Sequence, residues 1–362
     1  MTIILFLIVL GVLIFVHELG HFIVAKATGM RVDEFAIGFP PKIYSKKIGE
    51  TVYSINMIPL GGFVKIYGEN PNDLKDENTK SGDGFLEKPK LSRFSVLVAG
   101  VLFNFIFAIL CFSFVCMSGF TAPQGFLGSE EVGKTTVVAV SSGTPAFEAG
   151  MKTGDQISAV STSKTKIENP TSEDAISFIA KNQNETITFN VLRDGESMSF
   201  NVTPKEGIVP DKKAIGVSFE DLINISLPVH KAFYEGYKTT VKITIATAVA
   251  MWDFFGDIFT GKDGALAQVS GPVGIATMVG QASSLGFAYL VTFTAIISIN
   301  LAVLNLIPFP ALDGGQIVFV IIETIIRKPI SPKIVSYINI GGFAFLILLM
   351  VVITFADVLK LF

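Results

Sequence analysis

The clearest chemistry in this chain lies in a pair of histidines four residues apart with a glutamate beside the first. His17, Glu18 and His21 form the run HELGH. On a helix, residues i and i+4 lie on one face, so both imidazoles can bind one ion while the carboxylate reaches a water beside it. Zinc lowers the pKa of such a water to about 7, and a carboxylate can then take its proton. The run therefore predicts a hydrolytic site with one zinc ion and Glu18 as the base.

The surroundings of HELGH favour this function over a chance match. The run lies at the end of an apolar stretch, and a carboxylate near a bilayer core costs roughly 2.5–3.5 kcal/mol on insertion scales. Two of the three histidines of the chain fall in this one run. The alternative is that these side chains are simply solvated on a helix surface, and the cost of burying them in a membrane argues against it.

HELGH supplies two ligands, and a catalytic zinc ion needs a third from the protein. Asp313 follows a later apolar stretch in the run NLIPFPALDGG and is expected at the membrane depth of His17. Pro308 and Pro310 would break the helix there, and the two glycines after Asp313 let the chain turn. Depth therefore favours Asp313 as the third ligand. The alternative is that Asp313 only caps a helix beginning near Gln316.

Composition indicates that membrane helices must position these residues. Half of the 362 residues are hydrophobic, 16% are charged, and the mean hydropathy is +0.57, which is typical of a membrane protein. A bilayer core about 30 Å thick needs about 20 apolar residues in a helix. Four stretches satisfy this requirement: 3–25, 94–118, 285–309 and 337–356.

Charge and cysteine content exclude other classes. The net charge is −3, and no RNA- or DNA-binding pattern is present, so nucleic acid is not an expected partner. Cys111 and Cys116 both lie in an apolar run, which leaves no disulfide framework and no cysteine-based zinc site.

Lysine and arginine predict the orientation. Residues 26–93 carry eleven of them, and the loop before the last span carries three more, so both segments are expected in the cytoplasm. Both termini and residues 121–284 would then lie outside, with the active site near the cytoplasmic side. Residues 241–255 are apolar but flanked by charge, and are interpreted as an interfacial or amphipathic helix. A fifth span there would move Asp313 to the opposite membrane face.

Residues 133–206 differ from the rest of the chain. Short β-branched runs separated by Gly, Asn, Asp and Pro predict the strands of a small soluble domain. The run SSGTPAFEAGMKTGDQI resembles the signature of a PDZ domain, which binds extended chains by strand addition. A peptide or protein ligand is therefore expected, while a spacer or steric filter remains the alternative. The matching residues are Pro145, Ala146, Ala149, Gly150, Gly154 and Asp155.

HELGH together with NLIPFPALDG resembles the site-2 protease family of intramembrane metalloproteases, and nearly the whole chain fits. It is most similar to the bacterial branch typified by the regulator-of-sigma-E protease, which carries extracytoplasmic PDZ modules between its second and third spans. Further similarities are FAIGF, AGVLFN, SGPVGIA and the stretch IPLGGFVKIYGE, which resembles a membrane-re-entrant β segment. Departures are GFPP in place of GFGP, Val101 in place of a proline, and one PDZ module in place of two.

The resemblance implies a multi-pass protein of the bacterial inner membrane that binds one Zn²⁺ ion through His17, His21 and Asp313 and uses Glu18 as the catalytic residue. It implies regulated intramembrane proteolysis of single-span membrane proteins, such as anti-sigma factors or signal-peptide remnants. It also places part of one polar segment near the substrate: Asn300, Asn305, Pro308 and Pro310. In addition, the segment that begins at Gly61 and Gly62 could offer a strand edge to an unwound substrate.

The predicted fold is a polytopic α-helical membrane protein with four transmembrane helices, a small membrane-associated β region and an inserted β-rich PDZ domain. Its expected parts are a protease half (1–120), the PDZ domain (121–207), an extracytoplasmic linker with amphipathic helices (208–284) and a second protease half (285–362). Two other functions stay open. One is a catalytically silent tether whose PDZ module recruits partners, and the other is a transporter, which the lack of an evident inverted repeat disfavours.

Overall fold

The computed structural model describes residues 2–69, 82–125, 133–193, 195–209, 212–261 and 270–359. It divides into two compact units, one made of Met1–Val115 and Val229–Phe362 and the other of Cys116–Pro228. In chain order the helices are α1 (Thr2–Ala27), α2 (Lys90–Met117), α3 (Pro145–Glu148), α4 (Ser172–Lys181), α5 (Val229–Phe259), α6 (Pro272–Leu285), α7 (Phe287–Leu306), α8 (Asp313–Ile326) and α9 (Pro332–Leu359). A short 3-10 helix at Phe85–Glu87 precedes α2.

In the part of the chain that the structure describes, four helices are long and apolar enough to cross a membrane. They are α1, α2, α7 and the part of α9 from Lys333 to Phe355, which confirms the four predicted spans. The predicted amphipathic segment 241–255 is part of the longer helix α5, which is not among the four.

The strands, in chain order, are β1 (Val32–Ile48), β2 (Thr51–Ile66), β3 (Phe120–Pro123), β4 (Lys134–Val140), β5 (Gln156–Ser161), β6 (Lys166–Glu168), β7 (Ile187–Arg193), β8 (Glu196–Val202), β9 (Lys205–Val209), β10 (Lys212–Ala214) and β11 (Val217–Ile225). β1 and β2 form an antiparallel sheet of their own in the first unit. The first half of β1 pairs with residues 52–55 on one side and with residues 62–66 on the other. Among the described strands, 62–66 is therefore an edge of this sheet.

The second unit is built on an antiparallel β-sheet whose strand order differs from the chain order. Its strands follow the order β3-β11-β4-β5-β7-β8, with β6 paired to β5. Val137, Val160, Ile187 and Phe189 are fully buried in its core, as the alternation of β-branched and polar residues requires. β11 lies beyond residue 207, where the predicted domain ended. Its membership of this sheet has no local signal in the sequence, because its partners β3 and β4 precede it by some eighty residues or more.

Two polar contacts stabilise the second unit, and one of them involves a residue of the PDZ-like signature. The Asp155 carboxylate is fully buried and accepts two hydrogen bonds from Arg193, at 2.6 and 2.8 Å. Thr171 and Asp174 form a capping box at the start of α4. Asp155, in the Gly-Asp turn of the signature, therefore has a structural role: its ion pair with Arg193 holds β5 against β7.

Candidate metal centre

His17, His21 and Asp313 converge in the first unit. Each offers one ligand atom, and these atoms lie within 4.8 Å of one another. Nε2 of His17 is 3.1 Å from Oδ2 of Asp313, and Nε2 of His21 is 3.3 Å from the same oxygen. The two Nε2 atoms are 3.2 Å apart, and both histidines are buried. The structure thus brings together the three residues that the sequence predicts as ligands.

This cluster has the chemistry of a divalent cation site. Oδ2 of Asp313 is buried, and no described residue makes a hydrogen bond of suitable geometry to it, although both imidazoles lie close. A buried carboxylate oxygen without a donor is costly, and a cation between the three ligand atoms removes that cost. Two imidazoles and one carboxylate also form a ligand set used by catalytic zinc. The residues present therefore fit one zinc ion.

Helix α2 holds the histidines in place. Nδ1 of His21 donates a hydrogen bond to the backbone carbonyl of Val96, at 2.8 Å. Gly100 lies against both imidazoles: an added Cβ would overlap Nε2 of His21 and come within 2.7 Å of Cε1 of His17. Gly20 meets the Ala99 carbonyl in the same way. Small residues at this crossing let α1 and α2 approach closely.

Asn104, also on α2, has its side-chain nitrogen 3.2 Å from Nδ1 of His17. Val96, Gly100 and Asn104 were not among the residues predicted to act at this site. The only signal for two of them was the AGVLFN match.

A tight turn presents Asp313 to the histidines. α7 ends at Leu306 and α8 begins at Asp313, so the chain breaks at Pro308 and Pro310 as predicted. Ala311 adopts a left-handed conformation with φ of 72°, which is strained for a residue with a Cβ. α8 begins three residues earlier than expected. Its N-cap is Leu312, and Asp313 is the first residue of the helix, so Asp313 does not occupy the N-cap position that the capping alternative required.

The edge of the β-sheet lies beside Glu18. A Cβ at Gly62 would come within 3.2 Å of Cγ of Glu18, and the backbone amide of Val64 lies near the Glu18 carboxylate. Gly61 lies one residue away against the ring of Phe39. Residues 62–64 are thus next to the predicted base.

The predicted substrate-binding residues on and after α7 differ in how close they lie to the metal centre. Nδ2 of Asn305 is 3.3 Å from Nε2 of His17, at the centre itself. Asn300 is one and a half turns earlier on α7, and its Oδ1 accepts a hydrogen bond from Thr247 of α5, at 3.1 Å. Pro310 borders Gly342 of α9, while Pro308 lies in the turn after α7.

Comparison with known proteins gives a consistent result. The chain matches the sequence model of peptidase family M50 over residues 5–349. A Clostridium perfringens protein named as a candidate zinc metalloprotease is 34% identical, and the alignment covers 99% of each chain. Zinc metalloprotease RasP of Geobacillus kaustophilus is 30% identical, over 100% of this chain and 98% of that protein. Regulator of sigma-W protease RasP of Bacillus subtilis is also 30% identical, over 100% of this chain and 99% of that protein.

Proposed function

Because the chain belongs to peptidase family M50, the site-2 protease family, we propose that it cleaves single-span membrane proteins within or next to their membrane-spanning segment. The chain is a zinc metalloprotease of this family. The observation that carries the proposal is the convergence of His17, His21 and Asp313 beside Glu18, in the C-terminal half of an apolar helix long enough to cross a bilayer.

His17, His21 and Asp313 are the proposed zinc ligands and Glu18 is the proposed base. When bound, zinc supplies a Lewis acid that polarises the scissile carbonyl and makes a nearby water acidic. Glu18 takes the proton of the attacking water and returns it to the leaving amine. The nearby backbone amide of Val64 can orient the Glu18 carboxylate for both transfers.

The substrate must unwind before it is cut, because the carbonyls of an intact membrane helix are hydrogen-bonded internally. An unwound segment can pair with an exposed strand edge. Residues 62–66 offer such an edge beside Glu18, and a glycine at position 62 leaves room for the substrate backbone. The Asn305 amide is within 3.3 Å of His17 and can donate to a freed substrate carbonyl.

The second unit is the proposed PDZ domain, with an extended peptide as its ligand. A groove of about 370 Å³ lies between α4 and residues 214–219. Ile176, Ile179 and Val217 contribute to its apolar lining. β11 pairs with β4 from residue 217 but with β3 only from residue 222, so among the described strands the start of β11 keeps an edge for strand addition.

The proposed setting is a bacterial inner membrane. Residues 26–93 face the cytoplasm in this arrangement, while both termini and the PDZ domain lie outside. The name of the Bacillus subtilis relative makes it a regulator of sigma-W, and this favours membrane-anchored regulators of transcription, such as anti-sigma factors, among the substrates of the present chain.

Cleavage of a tagged single-span protein in liposomes tests the proposal, with wild type, Glu18→Gln and Glu50→Gln compared and zinc measured on each. Glu50 lies in the exposed turn between β1 and β2, so its variant is the matched control. We expect Glu18→Gln to retain zinc and lose cleavage, and Glu50→Gln to keep both. Equal cleavage by wild type and Glu18→Gln contradicts the role of Glu18. Wild type that holds zinc but cuts none of several substrates supports the silent tether instead.

A further inference from the structure

The two histidines of HELGH have different partners at Nδ1. For His21 the partner is the carbonyl oxygen of Val96, at 2.8 Å, which can only accept a hydrogen bond. A neutral His21 ring therefore carries its proton on Nδ1 and turns the lone pair of Nε2 towards Asp313. For His17 the partner is the side-chain amide of Asn104, at 3.2 Å. An amide can present either a donor or an acceptor.

Asn104 is fully buried, and one end of its amide is unsatisfied. Among the residues that the structure describes, Oδ1 has no hydrogen-bond partner, whereas Nδ2 faces Nδ1 of His17. The two ends of an amide have nearly the same shape, so a rotation of the group exchanges oxygen and nitrogen without moving the backbone. After this exchange Oδ1 accepts a hydrogen bond from Nδ1–H of His17. The exchange leaves Nδ2 without a partner among the described residues, so satisfaction of the amide does not favour it by itself. It is favoured when Nε2 of His17 binds a metal ion, because the neutral ring then carries its proton on Nδ1, beside this amide.

The backbone at Asn104 is held independently of its amide. Oγ of Ser298, on α7, donates a hydrogen bond to the Asn104 backbone carbonyl at 2.9 Å, and both residues are fully buried. This contact fixes α2 against α7 at the level of the metal centre. The side chain of Asn104 is therefore presented to His17 from a rigid position.

We infer that Asn104 is a positioning residue of the metal centre: its amide oxygen accepts the Nδ1 proton of His17, so that Nε2 of His17 faces the zinc ion. This inference rests on the proposed role of His17 as a ligand. Partners of this kind fix the tautomer and the ring orientation of a ligand, and their loss usually weakens metal binding 10–100-fold.

Zinc affinity of the full-length purified protein, measured by competition with a chelator, tests the inference. Asn104→Leu removes the acceptor, and we expect its zinc affinity to fall about 10–100-fold. Asn104→Asp keeps an acceptor oxygen and is expected to stay near wild type. Ser298→Ala is the matched control, because it removes the other hydrogen bond to this residue but leaves the amide. The unfolding temperature of each metal-free variant shows whether a change in affinity comes from a change in fold.

Three results would overturn the inference: wild-type affinity in Asn104→Leu, equal losses in Asn104→Leu and Asn104→Asp, or an equal loss in Ser298→Ala. His17→Ala separates this failure from failure of the proposed function. If His17→Ala binds zinc as wild type does, His17 is not a ligand and both proposals fail. If only His17→Ala loses zinc, the role of Asn104 alone is wrong.

A second measurement needs no substitution at Asn104 and applies even if its variants do not fold. The chain has three histidines, so in ¹⁵N spectra of the histidine-labelled, zinc-loaded His230→Gln variant the remaining ring signals come from His17 and His21, and both rings are expected to carry their proton on Nδ1. We expect the ring of His17 to be protonated at Nδ1. An unprotonated Nδ1 contradicts the inference.

Discussion

Nε2 of His17 lies 3.1 Å from Oδ2 of Asp313, although His17 belongs to α1 and Asp313 to α8. The same oxygen is 3.3 Å from Nε2 of His21. Two helices far apart in the chain thus meet through three side chains. An ion bound by all three would join the two ends of the first unit, and its binding energy would add to the stability of the fold.

Zinc removal is expected to lower the unfolding temperature. A ligand present at a hundred times its Kd stabilises the folded state by about 2.7 kcal/mol. Asp313→Ala removes one of three proposed ligands, and we expect this variant to lose most of the zinc-dependent rise in unfolding temperature. Thermal scans with and without added zinc measure the effect, with Glu50→Gln as control. A full zinc-dependent rise in Asp313→Ala would show that Asp313 is not a ligand.

Gly100→Ala is expected to disturb the metal centre while the helices remain. Its Cβ would overlap the ring of His21 and press on His17, and forcing a methyl group into a packed site costs about 1–3 kcal/mol. We therefore expect weaker zinc binding and less cleavage, with unchanged helical content by circular dichroism. Gly11→Ala on α1 is the matched control, because no atom of the described residues lies within 4 Å of its added Cβ. Equal zinc affinity in both variants would contradict the prediction.

Sequence was sufficient for the features that depend on residue type and apolar length. A membrane helix is set mainly by its own composition, so the four spans were predictable without tertiary structure. The approach of Asp313 to His17 was predictable from membrane depth. Because each residue of a membrane helix adds a known rise along the helix axis, the position of a residue in its span gives its depth.

Features that depend on packing between distant elements were not predictable. Val96 and Asn104 meet the histidines only because Gly20 and Gly100 set the separation and register of α1 and α2. β1 pairs with two parts of β2 because that strand bends back, and hydrophobic alternation does not record such a bend. The contact of Asn300 with Thr247 likewise depends on α5 packing on α7, and the local sequence of either helix does not reveal it.

Acid is expected to loosen the β1–β2 sheet through Glu34. Burial raises the pKa of Glu34, but the hydrogen bonds from Lys42, at 2.7 Å, and Ser54, at 2.6 Å, outweigh it and lower the pKa overall. Because the folded pKa lies below the unfolded value of about 4.3, this contribution is present above that pH and is lost as the pH falls through the folded value.

Hydrogen-exchange protection factors of the β1–β2 sheet measure this effect. The protection factors are expected to decrease when the pH is lowered below about 4.3, the pKa of an unfolded-state glutamate. The decrease is expected to be smaller in Lys42→Met, which lacks the main charge partner of Glu34. Lys46→Met serves as control, because Lys46 lies exposed on the same strand. The same acid dependence in wild type and Lys42→Met would show that Glu34 does not control the sheet.

The buried ion pair of Arg93 and Glu323 is expected to stabilise the contact between α2, which holds the two histidines, and α8, which carries Asp313. Nη1 of Arg93 is 2.7 Å from Oε2 of Glu323, and the two side chains are 10% and 7% exposed. Arg93 lies one turn before Val96, the partner of His21, and Glu323 is on α8, which begins at Asp313. The backbone amide of Ile330 also donates to Glu323, at 3.1 Å. The pair therefore connects the start of α2 with the helix that carries the third ligand.

Removing one partner of a buried pair leaves an uncompensated charge and typically costs 3–5 kcal/mol, whereas replacing both by apolar residues is often nearly neutral. We expect Arg93→Met and Glu323→Leu each to lower the unfolding temperature strongly, and the double variant to be more stable than the sum of the two effects predicts. Thermal unfolding of the four proteins gives this coupling energy, and Lys26→Met, at an exposed position at the end of α1, controls for loss of a positive charge. Strictly additive effects would mean that the pair is not coupled, and α2 and α8 would then be held together by their other contacts, among them the hydrogen bond from Nζ of Lys90 to the backbone carbonyl of Glu323.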